Sequence, residues 1–159
     1  MRELNCHRLL RNLNSLCKFL DDTYDVNSGG CCFLASLIAK HLDKLNIKYN
    51  LVVYDCCTKN RLCIEQEVIS CHKNKGFRNS ITGRYSCNHY CLQLKGAGVI
   101  NSDNYKGDHQ YLIPNISYKN IKWIYKNSNW NDCYDVQYNK TIKNIVKEFF
   151  EKYEKISIF

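Results

Sequence analysis

Between Asn27 and Leu42 the chain reads Asn-Ser-Gly-Gly-Cys-Cys-Phe-Leu-Ala-Ser-Leu-Ile-Ala-Lys-His-Leu. The two glycines interrupt whatever precedes them, and behind them Leu34, Ala35, Ile38 and Leu42 recur at the spacing of one helix face. The segment therefore predicts a helix from about Cys31 to Leu45, with Ser28 as its candidate N-cap. Its apolar stripe demands a second layer to pack on, and its first turn carries a cysteine. Free N–H groups and the positive end of the helix dipole favour an anion there, and the thiolate is the nucleophilic form of cysteine. Cys31 precedes Leu34 and Ala35 by one helical turn and shares their face, so it looks towards the rest of the fold, whereas Cys32 is turned away by about 100°.

The second layer is also legible. Leu9, Leu13, Leu16 and Leu20 predict an amphipathic helix near residues 4 to 20, followed by a loop over 21–27. Tyr49 to Asp55 is rich in β-branched and aromatic residues and reads as a strand, with Arg61 to Ile69 as a further candidate. Arg84 to Leu94 alternates as a strand does, and Gly98-Val99-Ile100-Asn101 follows it across the turn Lys95-Gly96-Ala97. Tyr111 to Ile113 and Ile121 to Tyr125 add candidate edge strands. Ile142, Ile145, Val146, Phe149, Phe150 and Tyr153 give a C-terminal helix with one apolar side that closes the core. Helices, then strands, then a helix is an α+β pattern, with N-terminal helices on a small antiparallel sheet. At 159 residues, 45% of them hydrophobic, the chain has the material for one core, and residues 1–159 read as a single domain.

Met1 to His7 carries no apolar run of an export signal, and no window approaches the roughly 18 apolar residues of a membrane span. The expectation is a protein without a membrane partner, in the cytoplasm. Eleven cysteines is an odd number, and two pairs, Cys31-Cys32 and Cys56-Cys57, are adjacent. Reduced thiols fit that pattern better than a disulfide framework. The formal charge of +8 is mostly interleaved with acids, as in Glu151 to Lys155, which describes a solvated helix face. The exception is Cys71 to Arg84, with Lys73, Lys75, Arg78 and Arg84 and no acid, a stretch whose alternative reading is contact with nucleic acid.

Chemistry gathers on the strand Tyr85 to Leu94. Alternation sends Cys87, His89 and Cys91 to one face, where His89 meets a helix packed on that face. Asn101 follows on the next strand, where its amide oxygen can hold the imidazole in one tautomer, and the order is Cys, His, Asn. Gly-Gly-Cys-Cys-Phe-Leu-Ala at residues 29 to 35 resembles the nucleophile motif of the papain-like and transglutaminase-like cysteine enzymes. In that motif a small residue follows the cysteine by one helical turn, and Ala35 fills this position if Cys31 is the nucleophile. The resemblance runs from Asn27 to Asp103. It implies a catalytic histidine at His89 and an orienting residue at Asn101, with Asp103 as the alternative.

The same resemblance implies acyl transfer at an amide, peptide or isopeptide carbonyl through a thioester, a protein or peptide substrate, and no cofactor or metal. One departure stands out: the papain-like proteases carry a Gln about six residues before the cysteine as oxyanion donor, and this chain has Asp25 there. Asn27 or backbone N–H groups would have to serve instead. The wealth of Lys, Asn, Ile and Tyr is similar to that of small phage or mobile-element proteins, in which case the cytoplasm is a host's.

Two rival readings remain. A papain-like domain without activity is an interaction module. Alternatively, Cys56, Cys57, Cys63, Cys71, His72, Cys87, His89 and Cys91 supply zinc ligands for a nucleic-acid-binding module, although only Cys87 and Cys91 approach the paired spacing that structural zinc sites use.

Overall fold

Helix α1, Cys6–Tyr24, begins where the Asn5 side chain accepts the Arg8 N–H at 3.0 Å, an N-cap that satisfies one of the free first-turn donors. The computed structural model describes residues 5–26, 30–55, 89–100, 109–127 and 138–157. Leu9, Leu13, Cys17 and Leu20 form the buried stripe of α1. The helix runs four residues past the sequence expectation and takes in Asp21 to Tyr24. It stops at Asp25, which adopts the left-handed conformation (φ 52°) that Asp tolerates and returns its N–H to the Asp21 carbonyl at 2.8 Å.

Helix α2, Cys31–Lys44, starts at Gly30 as N-cap, with no side-chain cap hydrogen bond, so the expected role of Ser28 gives way to a glycine. Ser28 itself, like Asn27, lies outside the described residues. The sheet comprises β1 (Tyr49–Asp55), β2 (His89–Leu94), β3 (Gly98–Ile100) and β4 (His109–Ile113), in the order β3-β2-β1-β4 with every neighbour antiparallel. The strand expected around Tyr111 to Ile113 is therefore present as β4. Ile121 to Tyr125 is not an edge strand: it belongs to helix α3, Tyr118–Asn127. Ser117 starts that helix, with Asn120 three residues on taking the Ser117 N–H at 3.1 Å and its hydroxyl at 2.6 Å. Asp43 of α2 accepts the Tyr118 N–H at 3.0 Å. Local capping thus overrides the strand propensity of Ile, Trp and Tyr. Helix α4, Asn139–Ser157, buries Ile142, Val146 and Phe150 and closes the core as expected.

The described residues make a mixed fold of N-terminal helices, a small antiparallel sheet and a closing C-terminal helix. Its centre is α2. The face of Cys31, Leu34, Ala35 and Ile38 borders β2 and β3, and the opposite face of Phe33, Ser36 and Leu37 looks onto α3 and α4. Both faces are covered, so Cys32 is as buried as Cys31, and its Sγ–H points at the Ile121 carbonyl of α3, 3.8 Å away. The uninterrupted apolar composition from Cys31 to Ala35 marks a first turn buried on every side, whereas Lys40, Asp43 and Lys44 further along α2 are exposed. The candidate strand over 61–69 and the basic stretch over 71–84 lie outside the described residues.

Candidate functional site

Cys31 is the first residue of α2. Gly30 leads into it, with its own N–H taken by the Val26 carbonyl at 2.7 Å and its carbonyl accepting from Leu34 at 2.9 Å, so the helix start is anchored in both directions. The thiol is 8% exposed by residue surface. Its Sγ accepts the N–H of Tyr90, on β2, at 3.5 Å.

That contact locates the thiol relative to the sheet. β1 pairs with β2 along its whole length, from Leu94 back to His89, whereas β3 pairs only with Leu92, Gln93 and Leu94. An N–H of Tyr90 offered to sulfur rather than to β1 points to the β3 side, beyond the end of that pairing. Cys31 therefore caps the edge of β2 next to His89 and does not lie over the sheet's middle. Cys31, His89, Cys17, Cys91 and Ile100 border a cavity of about 20 Å³, room for about one water.

His89 begins β2 and is buried. The face of β2 that packs with α2 carries Tyr90, Leu92 and Leu94, which share the main core with Leu34, Ile38 and Leu42. Cys91 instead packs with Val52 and Val99 in a separate cluster. Alternation sets His89 on the side of Cys91, so the expectation that the helix covers the face of His89 and Cys91 is reversed. Tyr90, Leu92 and Leu94 make the more apolar face of β2, whereas the other face carries His89 and Gln93, so hydrophobicity favours the face that α2 covers, a signal that the shared side of Cys87, His89 and Cys91 masked. The edge position of Cys31 is what still brings its thiol and His89 to one cavity.

Electrostatically the site is quiet. Burial pushes the Cys31 thiol above its ordinary range, and the N–H groups of Tyr90, Cys32 and Cys31 pull it back only in part. Cys32 is pushed well up by burial and by the neighbouring Cys31. Burial and the nearby Asp21 push Cys17 up to about 12, and Cys91 is raised mainly by burial. Of these thiols Cys31 is the one against which backbone amides are drawn up.

Asn101 and Asp103, the two candidate orienting residues, and Asn27, the candidate oxyanion donor, lie outside the described residues. So do Cys56, Cys57, Cys63, Cys71, His72 and Cys87 of the zinc reading. Among the described residues no three His, Cys, Asp or Glu side chains are grouped to hold a metal ion. No described helix is long and apolar enough to cross a membrane. The participant that residue types could not reveal is the Tyr90 amide, because a backbone N–H carries no signature in sequence. Comparison of the chain with protein-family models, curated proteins and solved structures finds no match to any of them.

Proposed function

We propose that this chain is a cysteine-dependent hydrolase or acyltransferase of papain-like or transglutaminase-like type, with Cys31 as nucleophile and His89 as general base and acid. The observation that supports it most is the 3.5 Å contact from the Tyr90 N–H to Cys31 Sγ, which joins the start of a helix to the start of a strand at the residue after His89. In this reading His89 takes the Cys31 proton, the thiolate attacks an amide or isopeptide carbonyl, and the tetrahedral oxyanion is held by backbone N–H groups. His89 then protonates the departing amine, leaving a thioester that water or a second amine resolves. Asn101 or Asp103 orients the imidazole. The substrate is a protein or peptide, and the setting is cytoplasmic.

A second reading has its own support. A thiol raised by burial, beside a cavity sized for a single water, is what an inactive interaction module of the same architecture would retain. Alkylation of Cys31 against pH, followed by mass spectrometry of the modified peptide, separates the two. An enzyme thiol paired with imidazolium reacts on a plateau that begins below neutrality, and His89→Ala removes the plateau without lowering the melting temperature by more than a few degrees. A rate that only climbs towards the free-thiol value of about 8.5 and ignores His89→Ala sinks the enzyme reading.

A further inference from the structure

A cleft of about 630 Å³ runs along the side of α2 opposite Cys31, walled by α3 and α4. Lys40 and Lys44 stand one turn apart on α2, Lys143 and Lys147 stand one turn apart on α4, and Lys122 joins them from α3. All five are exposed. Like charges at this spacing on one helix repel, and facing two such pairs across a cleft adds to the cost, so a chain without use for them has reason to neutralise them. Only Lys147 is so treated, by Glu151 at 3.7 Å. Among the described residues Lys40, Lys44, Lys122 and Lys143 have no ion pair. The last of these lies with its Nζ 6.0 Å from the centre of the Phe33 ring. Between them His41 is held towards its neutral form, first by burial and then by Lys44 and Lys40.

We infer that this cleft binds the sugar–phosphate backbone of single-stranded nucleic acid. The residue types choose between anions. Five lysines and no arginine line the wall against two acids, Glu151, which is paired with Lys147, and Glu154, so the cleft keeps a net positive charge made of point charges that track a distributed row of phosphates and lack the planar fork that grips individual carboxylates. The size favours a single strand: a cleft of about 630 Å³ takes a short run of extended strand and has no room for a duplex. Tyr118 stands half-buried at the rim, a surface for a base. This site is independent of the Cys31 reading and lies on the other face of α2.

The test is fluorescence anisotropy of a labelled oligo-dT and an oligo-U of about 15 nucleotides with the full chain, over a salt series. If all four unpaired lysines contact phosphate, log affinity falls against log salt with a slope near −3, about fifty-fold between roughly 50 and 200 mM. Lys40→Gln/Lys143→Gln should halve the slope and weaken binding about ten-fold at low salt with an unchanged melting temperature. Lys40→Glu/Lys143→Glu should do so more strongly. No binding at low salt, equal or tighter binding of a duplex or of a poly-glutamate peptide, or loss of binding on Lys73→Gln/Lys75→Gln but not on the cleft variants would each overturn the proposal.

Discussion

A half-buried titratable side chain reports its surroundings through the proton it prefers, and His41 offers a clean case. Its ring stacks on Phe150 with centroids 4.6 Å apart and an interplanar angle of 5°. Burial first, then Lys44 and Lys40, lower its pKa from the ordinary 6.5, with Glu151 opposing weakly. The unfolded chain therefore takes up this proton before the folded one as pH falls. The stability that His41 contributes is complete above about 6.5 and is lost as pH drops below it. His41→Phe keeps a flat ring against Phe150 and removes the titration, so its melting temperature should fall less than the wild type's between about pH 7.5 and pH 5.5. An equal fall in both would show that other groups carry the acid sensitivity. Cys31 makes the complementary point. Its place at a helix start was legible from Gly29-Gly30 and the apolar stripe behind them, but the balance between burial and three amides depends on a strand almost sixty residues away.

At the scale of elements, the contact of α1 with β3 turns on a glycine. Gly98 opens β3 at φ +148°, and a Cβ built there would lie 3.1 Å from Leu10 Cδ2 of α1. Gly96, in the preceding turn, has φ +80° and nothing within 4 Å of such a Cβ. Gly96→Ala should therefore cost only backbone strain, about 1 kcal/mol. Gly98→Ala adds displacement of a core-packed side chain, and urea unfolding should show a loss of roughly 2–3 kcal/mol. Equal losses would mean that α1 adjusts freely. The same scale separates what pattern reveals from what it hides. The stripes of α1 and α4 have strong helical periodicity and were readable, as were β1, β2, β3 and β4 from alternation and β-branched content. Ile121 to Tyr125 misled because its composition suits a strand, while Ser117 and Asn120, the capping pair before it, and the reach of Asp43 to Tyr118 decide for a helix.

At the scale of the whole molecule, the distribution of charge and thiols bears on what else the chain requires in order to fold. Leu9, Leu13, Leu51, Leu92, Ile121, Ile142 and Phe150 are fully enclosed, a core drawn from α1, α3, α4 and the sheet without any grouped metal ligands among the described residues. A chelator should accordingly leave the melting temperature of protein purified without added metal unchanged. Release of stoichiometric zinc together with loss of the fold would move the assignment to a metal-stabilised binding module. The sequence alone determined the class of fold, because hydrophobic periodicity is a local property that survives without knowledge of any partner. It also determined that Cys31 opens a helix, since the glycines and the stripe lie within one short segment. Only the tertiary structure decided that Cys31 sits at the edge of β2 and that lysines from three helices line one cleft. Those outcomes rest on strand register and on how α2 is sandwiched, and register is set by contacts between residues far apart in the chain.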